Sequence, residues 1–317
     1  MAQMKGPYGI SRKLQELMCL MGQSQVFEDG ENLFKEIMGI SVSGKQIQRV
    51  SECYGECIEE KEELSIEAGE PAPVVGNRND TTYVMLDGSM VFTREEGWKE
   101  IKVGRIFASD DCVAVQENRH EIVQSQYVCH LGAHQGFLNK MEYYTDAYKK
   151  KVCVADGAKW IWNWAEDTYP DMVQILDFYH AVEKIGILAT HQFVDEDKRK
   201  RWLSKQKERL LNDKVEKVLA VLEQLVCRNQ EVEKLRNDAI RYYRNNKKRM
   251  RYKTFKEAGY LIGSGAIESA HRNVVQQRLK LSGQRWSVKG AQQIVNLRAY
   301  QKSNRWKEVI ELIKKAA

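Results

Sequence analysis

Proline is scarce in this chain, with four in 317 residues. That excludes collagen-like, Pro-rich and mucin-like sequences and favours long helices. No apolar run reaches the ~18 residues that span a bilayer, so no membrane partner is expected. The opening residues contain no apolar stretch of the secretory kind. The seven cysteines are an odd number and do not suggest a disulfide framework, so a reducing, cytoplasmic setting is expected. No glycine-rich loop precedes a Lys-Ser or Lys-Thr pair, and no nucleotide cofactor is expected. Cys53 and Cys57 stand one helical turn apart, and Cys129, His130 and His134 form another small group. Neither reaches the four ligands of a structural zinc site. No Ser-His-Asp arrangement is recognisable.

Charge and polarity are abundant. Charged residues make up 30% and hydrophobic residues 43%, the balance of a globular protein. The length alone suggests about two domains. The net charge of +6 conceals a polarised chain. Residues 198–289 carry 25 Lys and Arg against 9 Asp and Glu, while the remainder carries 25 against 35. A polyanionic partner for the basic part follows from that asymmetry. The densest run, residues 241–253, interleaves tyrosines with Arg241, Lys247, Lys248 and Arg249. Cations neutralise phosphates and aromatics stack on bases, although a solvated helix face would read the same way.

Periodicity predicts three helices in residues 11–63, the first capped by Ser11, the second over 26–38 and the third from about Gly44. Gly39 and Ser43 supply the turn and cap of a helix-turn-helix pattern, the alternative being an ordinary helical hairpin. Lys45, Gln46 and Arg49 then sit where such a unit reads DNA bases. A linker is expected at 70–73. Beyond it the period becomes two: strands are predicted over 81–87, 98–107 and 122–129, a helix over 137–150, and strands over 151–156 and 172–176 with helices after each. The expectation is an α/β fold, a mixed sheet flanked by helices. Residues 195–258 read as an all-α insertion, and residues 259–317 as the last helix of the core with two short helices behind it. The expected organisation is therefore a DNA-binding head over 1–70, a core from 71 to 194, the insertion, and the closing helices.

Asp87 and Asp156 each end a predicted strand and precede glycine. Ligand sites in α/β sheets gather at such strand ends, although Asp-Gly is also ordinary turn chemistry. Neighbouring carboxylates suit a hard divalent ion such as Mg²⁺. Glu268 follows Gly263 and Gly265 in the first turn of a helix and is the third candidate, a helix-dipole role being the plainer one. Cations follow it: Arg272, Arg278, Lys280 and Arg285, with Trp286 beside the last. Carboxylates edged by cations are what phosphoryl chemistry on nucleic acid requires.

In order, Asp87-Gly88, Asp156-Gly-Ala-Lys-Trp-Ile-Trp162, Asp177-Phe-Tyr-His180 and Gly263-Ser-Gly-Ala-Ile-Glu268 resemble the DDE transposases of bacterial insertion sequences. The tail, with Ser282-Gly-Gln-Arg-Trp286 and Asn296-Leu-Arg298, is similar to the IS-Kra group. The resemblance covers residues 10–308. It implies an RNase H-like core in a bacterial, nucleoid-associated enzyme. It further implies that Asp87, Asp156 and Glu268 are the catalytic acids holding two Mg²⁺ ions, with Mn²⁺ as a substitute, and that Asp177 and His180 are accessory. The implied partner is double-stranded DNA, both transposon ends and target, bound by a homo-oligomer. The implied activity is end cleavage and strand transfer. The alternatives are a catalytically inactive or truncated transposase-derived DNA-binding protein, and a structure-specific nuclease on the same fold.

Overall fold

A computed structural model of the chain describes residues 9–77, 79–116 and 119–316. The first eight residues, on which the expectation about a secretory signal falls, lie outside them. The fold is mixed α/β and divides into two units, residues 1–150 with 266–317, and residues 151–265. Among the described residues no helix is long and apolar enough to cross a membrane.

The first unit opens with α1 (Arg12–Ser24), α2 (Phe27–Met38) and α3 (Gly44–Glu67). The predicted punctuation holds. Ser11 accepts a hydrogen bond from the Leu14 amide, Gly39 closes α2 in the left-handed conformation, and Ser43 with Gln46 forms a capping box. The described residues between α3 and residue 81 have no regular structure, yet Ala72 and Val75 are buried and the Val75 amide donates to Tyr148 Oη at 2.8 Å. It is a pinned strap as well as a connection.

The strands β1 (Thr81–Thr93) and β2 (Gly97–Ala108) form a long antiparallel hairpin. The sequence places a strand end at Asp87 and a turn at Gly88, and the structure corrects both. Asp87 lies within β1 opposite Val103, and Gly88 continues the strand opposite Lys102. A Cβ at Gly88 would meet only the flexible end of the Glu100 side chain, at 2.2 Å from Oε1. The turn falls instead before Gly97, whose φ of +69° favours glycine. Beyond β2 come β3 (Cys112–Gln116) and β4 (Arg119–Ile122), a separate two-stranded sheet. Then β5 (Gln126–Leu131) pairs antiparallel with β2. The predicted strand over 122–129 thus resolves into the end of β4 and most of β5. The helix α4 (His134–Thr145) is shorter than predicted.

In the second unit β6 (Lys150–Ala155) and β7 (Val173–Leu176) run parallel, joined through α5 (Lys159–Thr168). Then follow α6 (Phe178–Gln192), α7 (Glu196–Leu211), α8 (Val215–Glu223), α9 (Gln230–Asn246), a 3₁₀ turn (Lys247–Arg249) and α10 (Tyr252–Glu257). The stretch read as all-α is all-α. Tyr243 of α9 is buried and donates to Ala181 O at 2.6 Å, which fastens α9 to α6.

The chain closes in the first unit with α11 (Gly265–Ala270), a π-helical turn (His271–Gln276), α12 (Gln277–Leu279), α13 (Val288–Lys302) and α14 (Trp306–Lys315). Residues 290–300 of α13 are all buried, polar ones included. Gln292 explains part of this. Its Oε1 accepts from the Leu131 amide at 2.7 Å and its Nε2 donates to Cys129 O at 3.3 Å, satisfying the edge of β5. Asn296 Nδ2 donates to Gly55 O on α3 at 3.1 Å.

Candidate functional site

Two of the expected acids belong to the first unit. Asp87 Oδ1 accepts from the Gly88 amide at 2.7 Å. His271, three residues beyond Glu268, brings its Nε2 within 3.3 Å of Asp87 Oδ2. The helix that carries Glu268 is therefore seated on the strand that carries Asp87, although the two are far apart in sequence. Glu268 itself is exposed in the first turn of α11. His271 is buried, and neither ring nitrogen makes a well-formed hydrogen bond among the described residues. Burial, aided by the Lys280 ammonium, pushes its pKa down to about 4. It is neutral at pH 7 and brings no positive charge to Asp87.

Two buried arginines hold this helix. Arg105 of β2 donates from Nη1 to Ala266 O at 2.9 Å. Arg298 of α13 donates from Nε to Val274 O at 2.6 Å and from Nη1 to Gln23 O at 2.5 Å, and it also bonds Asn273 O. Asn273 and Val274 lie in the π-helical turn, where an i→i+5 pattern displaces carbonyls from regular α bonding. The arginine fork meets those carbonyls.

The expected DNA-contacting residues of the first unit separate into two groups. Arg272, Lys280 and Arg285 are exposed, as are Lys45, Gln46 and Arg49. Gln46 also completes the α3 capping box. Arg278 and Trp286 lie inside the first unit, not on its surface. Arg278 is 1% exposed, donates to Gly22 O at 2.9 Å, and its guanidinium stands 4.7 Å from both the Phe27 and Trp286 rings. Trp286 Nε1 donates to Leu279 O at 3.2 Å. Both are packing residues as they stand.

The second unit carries Asp156, Asp177 and His180. Ala155 and Leu176 are register partners at the ends of β6 and β7, so Asp156 and Asp177 follow adjacent parallel strands. That is the carboxyl-end edge where α/β sheets bind ligands. Asp156 Oδ1 accepts from the Ala158 amide at 2.9 Å. Gly157 is required by close packing, since a Cβ there would lie 2.2 Å from the Tyr242 ring. Asp177 is buried and caps α6 through the His180 amide at 2.8 Å, and its other oxygen accepts from the Ser264 amide. Burial works to raise its pKa, but hydrogen bonds from His180 and Ser264 outweigh this and hold it below the ordinary value. His180 Nδ1 stands 3.5 Å from Asp177 Oδ1. That side-chain contact raises the His180 pKa to about 9, against the opposing effect of burial.

The carboxylate oxygens of Asp87, Asp156 and Glu268 are the donor type Mg²⁺ prefers. Among the described residues, however, no group of three or more His, Cys, Asp or Glu side chains could hold a metal ion. The donor chemistry fits the ion, but a closed ligand set is not formed.

Other polar residues that tertiary structure makes important left only weak traces in the sequence. Arg105 and Gln292 look like surface residues by type, and only their position among apolar neighbours hints at burial. In comparisons with protein-family models and with curated proteins, nothing matches this chain.

Proposed function

We propose that the chain is a DNA-acting phosphoryl-transfer enzyme of the DDE transposase kind, cutting at the ends of an element and joining them to target DNA. The observation that carries this reading is the approach of His271 to Asp87, which seats the Glu268 helix on the Asp87 strand. Asp156, which directly follows β6, is the third carboxylate of this reading. These three are the groups assigned to Mg²⁺, or to Mn²⁺ in its place, and such an ion's part is to lower the pKa of a water and steady the leaving oxygen. Asp177 and His180 have a positioning role, tying the start of α6 to the loop before Glu268. The exposed Arg272, Lys280 and Arg285 offer positive charge to DNA phosphates. A homo-oligomer belongs to this reading because two DNA ends have to be joined.

The test is incubation of purified protein with end-containing duplex DNA, with and without Mg²⁺ or Mn²⁺. Metal-dependent nicking followed by joining to target is expected. Asp87→Asn, Asp156→Asn and Glu268→Gln should each abolish nicking and leave DNA binding intact. Cleavage that survives a substitution removes that residue from the set. DNA that is bound but never cut assigns the chain to non-catalytic DNA binding, and nicking without joining assigns it to a nuclease.

A further inference from the structure

The second unit contains a cavity of about 1370 Å³, bounded by α5, the start of β7, the end of α9 and the 3₁₀ turn. It exceeds the roughly 300–1,000 Å³ of small-molecule sites. Its lining is strongly basic, with seven Lys and Arg against Glu166 and Asp238. Four of the cations are engaged: Arg241 with Asp238, Arg244 with Glu223, Lys247 with Glu216 and Arg249 with Glu166. Lys159, Lys248 and Arg251 are exposed and enter no ion pair among the described residues.

The wall behind them is rigid. Arg249 Nε donates to Gln174 Oε1 at 2.7 Å and Nη1 to Asn246 Oδ1 at 3.2 Å, and its guanidinium lies 4.5 Å from the centre of the Trp162 ring. Trp162 also lines the cavity. It is 4% exposed, and its Nε1–H has no partner among the described residues. A buried donor without an acceptor is uncommon and costly, and an acceptor in the recess would satisfy it.

The recess is elongated. Gly157, next to Asp156, lines it at the carboxyl end of β6, while Met172 and Gln174 line it at the opposite end of the parallel strand β7. Four strand residues span about 13 Å. A trough of that extent, carrying several unneutralised cations, suits a chain of repeated anions better than a single small one.

We propose that this recess holds the sugar-phosphate backbone of a nucleic-acid strand that leads away from Asp156, with Lys159, Lys248 and Arg251 as its phosphate contacts. The choice of nucleic acid as the polyanion rests on the proposed function; the basic trough does not. The experiment measures binding of a fluorescein-labelled oligonucleotide, single-stranded and duplex, by anisotropy across a salt series without divalent metal. The recess variant is Lys159→Ala/Lys248→Ala/Arg251→Ala. The control, Lys205→Ala/Lys207→Ala/Lys217→Ala, removes the same charge from exposed positions outside the recess. The recess variant should bind at least about tenfold more weakly with either oligonucleotide, and its log–log salt slope should fall by about two with the single strand and nearly three with the duplex. The control should stay within about twofold. Equal losses in the two variants, or an unchanged slope, would overturn the proposal. So would poly-glutamate competing as well as the oligonucleotide, which would assign the trough to an acidic protein. Because cleavage is not read, wild type that binds through the recess but never cuts DNA counts against the proposed function alone.

Discussion

His271 Nε2 stands 3.3 Å from Asp87 Oδ2, a histidine and an aspartate in near contact without an ion pair between them. Burial keeps the imidazole neutral with a pKa of about 4. This contact has a pH signature. A histidine with a folded pKa near 4 and an unfolded pKa near 6.5 takes up a proton on unfolding between those values. Stability is therefore lost as pH falls from about 6.5 to 4, by up to about 2–3 kcal/mol. Urea unfolding of wild type and His271→Gln at pH 7 and pH 4.5 checks it. The wild type should lose more stability than the variant, and parallel losses would show that His271 is not the titrating group.

His180 has the opposite sign. Its contact with Asp177 raises the folded pKa to about 9, above the ordinary 6.5. Stability from this pair is fully present below about 6.5 and is lost as pH rises through 9. The His180 side chain is 38% exposed, and solvent screening cuts the effect to about 1 kcal/mol. His180→Gln should flatten the decline in unfolding free energy between pH 6.5 and 9.5. A wild-type imidazole that titrates near 6.5 by NMR would count against the pairing.

These two histidines also show where the sequence is legible and where it is not. The strand-then-acid pattern at Asp156 is local and is read directly, whereas the Asp177 cap is seen only in the structure, the resemblance having implied an accessory role alone. Asp87 misled because Asp-Gly is ordinarily turn chemistry, whereas here Gly88 continues the strand opposite Lys102, a neighbour supplied by the partner strand. The cations after Glu268 misled for a related reason. A basic side chain facing phosphate and one capturing buried carbonyls look alike in sequence. Arg278 proves buried against Gly22 O and two aromatic rings, contacts that only the folded chain creates.

Arg298 is the strongest case of that second kind. It is 3% exposed and bonds the carbonyls of Gln23, Asn273 and Val274, two of them in the π-helical turn behind Glu268. Removing it leaves several buried acceptors unpaired, each worth about 1–3 kcal/mol. Arg298→Leu should cost roughly 3–5 kcal/mol. Arg298→Lys should rescue only part of this, because an ammonium cannot reproduce the planar fork. Thermal or urea unfolding measures both. Equal stability of the lysine variant and wild type would mean that charge alone suffices, and that the fork does not hold the turn.

Two glycines in helices should respond to alanine in opposite directions. Gly55 lies on α3 where that helix meets α13, and a Cβ would stand 2.1 Å from Gln293 O. That neighbour is backbone in a buried helix and has nowhere to move, so Gly55→Ala should force α3 and α13 apart at a cost of about 3 kcal/mol. The separation would also break the bond from Asn296 to Gly55 O. Gly186 lies within α6, and a Cβ there meets nothing within 4 Å. With no contact to break, helix propensity decides, and Gly186→Ala should gain roughly 0.5–1 kcal/mol. Urea unfolding of the two single variants tests the pair. Because both changes add one methyl group to a helix, opposite signs can only come from the space each site offers. A Gly55→Ala protein as stable as wild type would mean that the two backbones do not approach as closely as described.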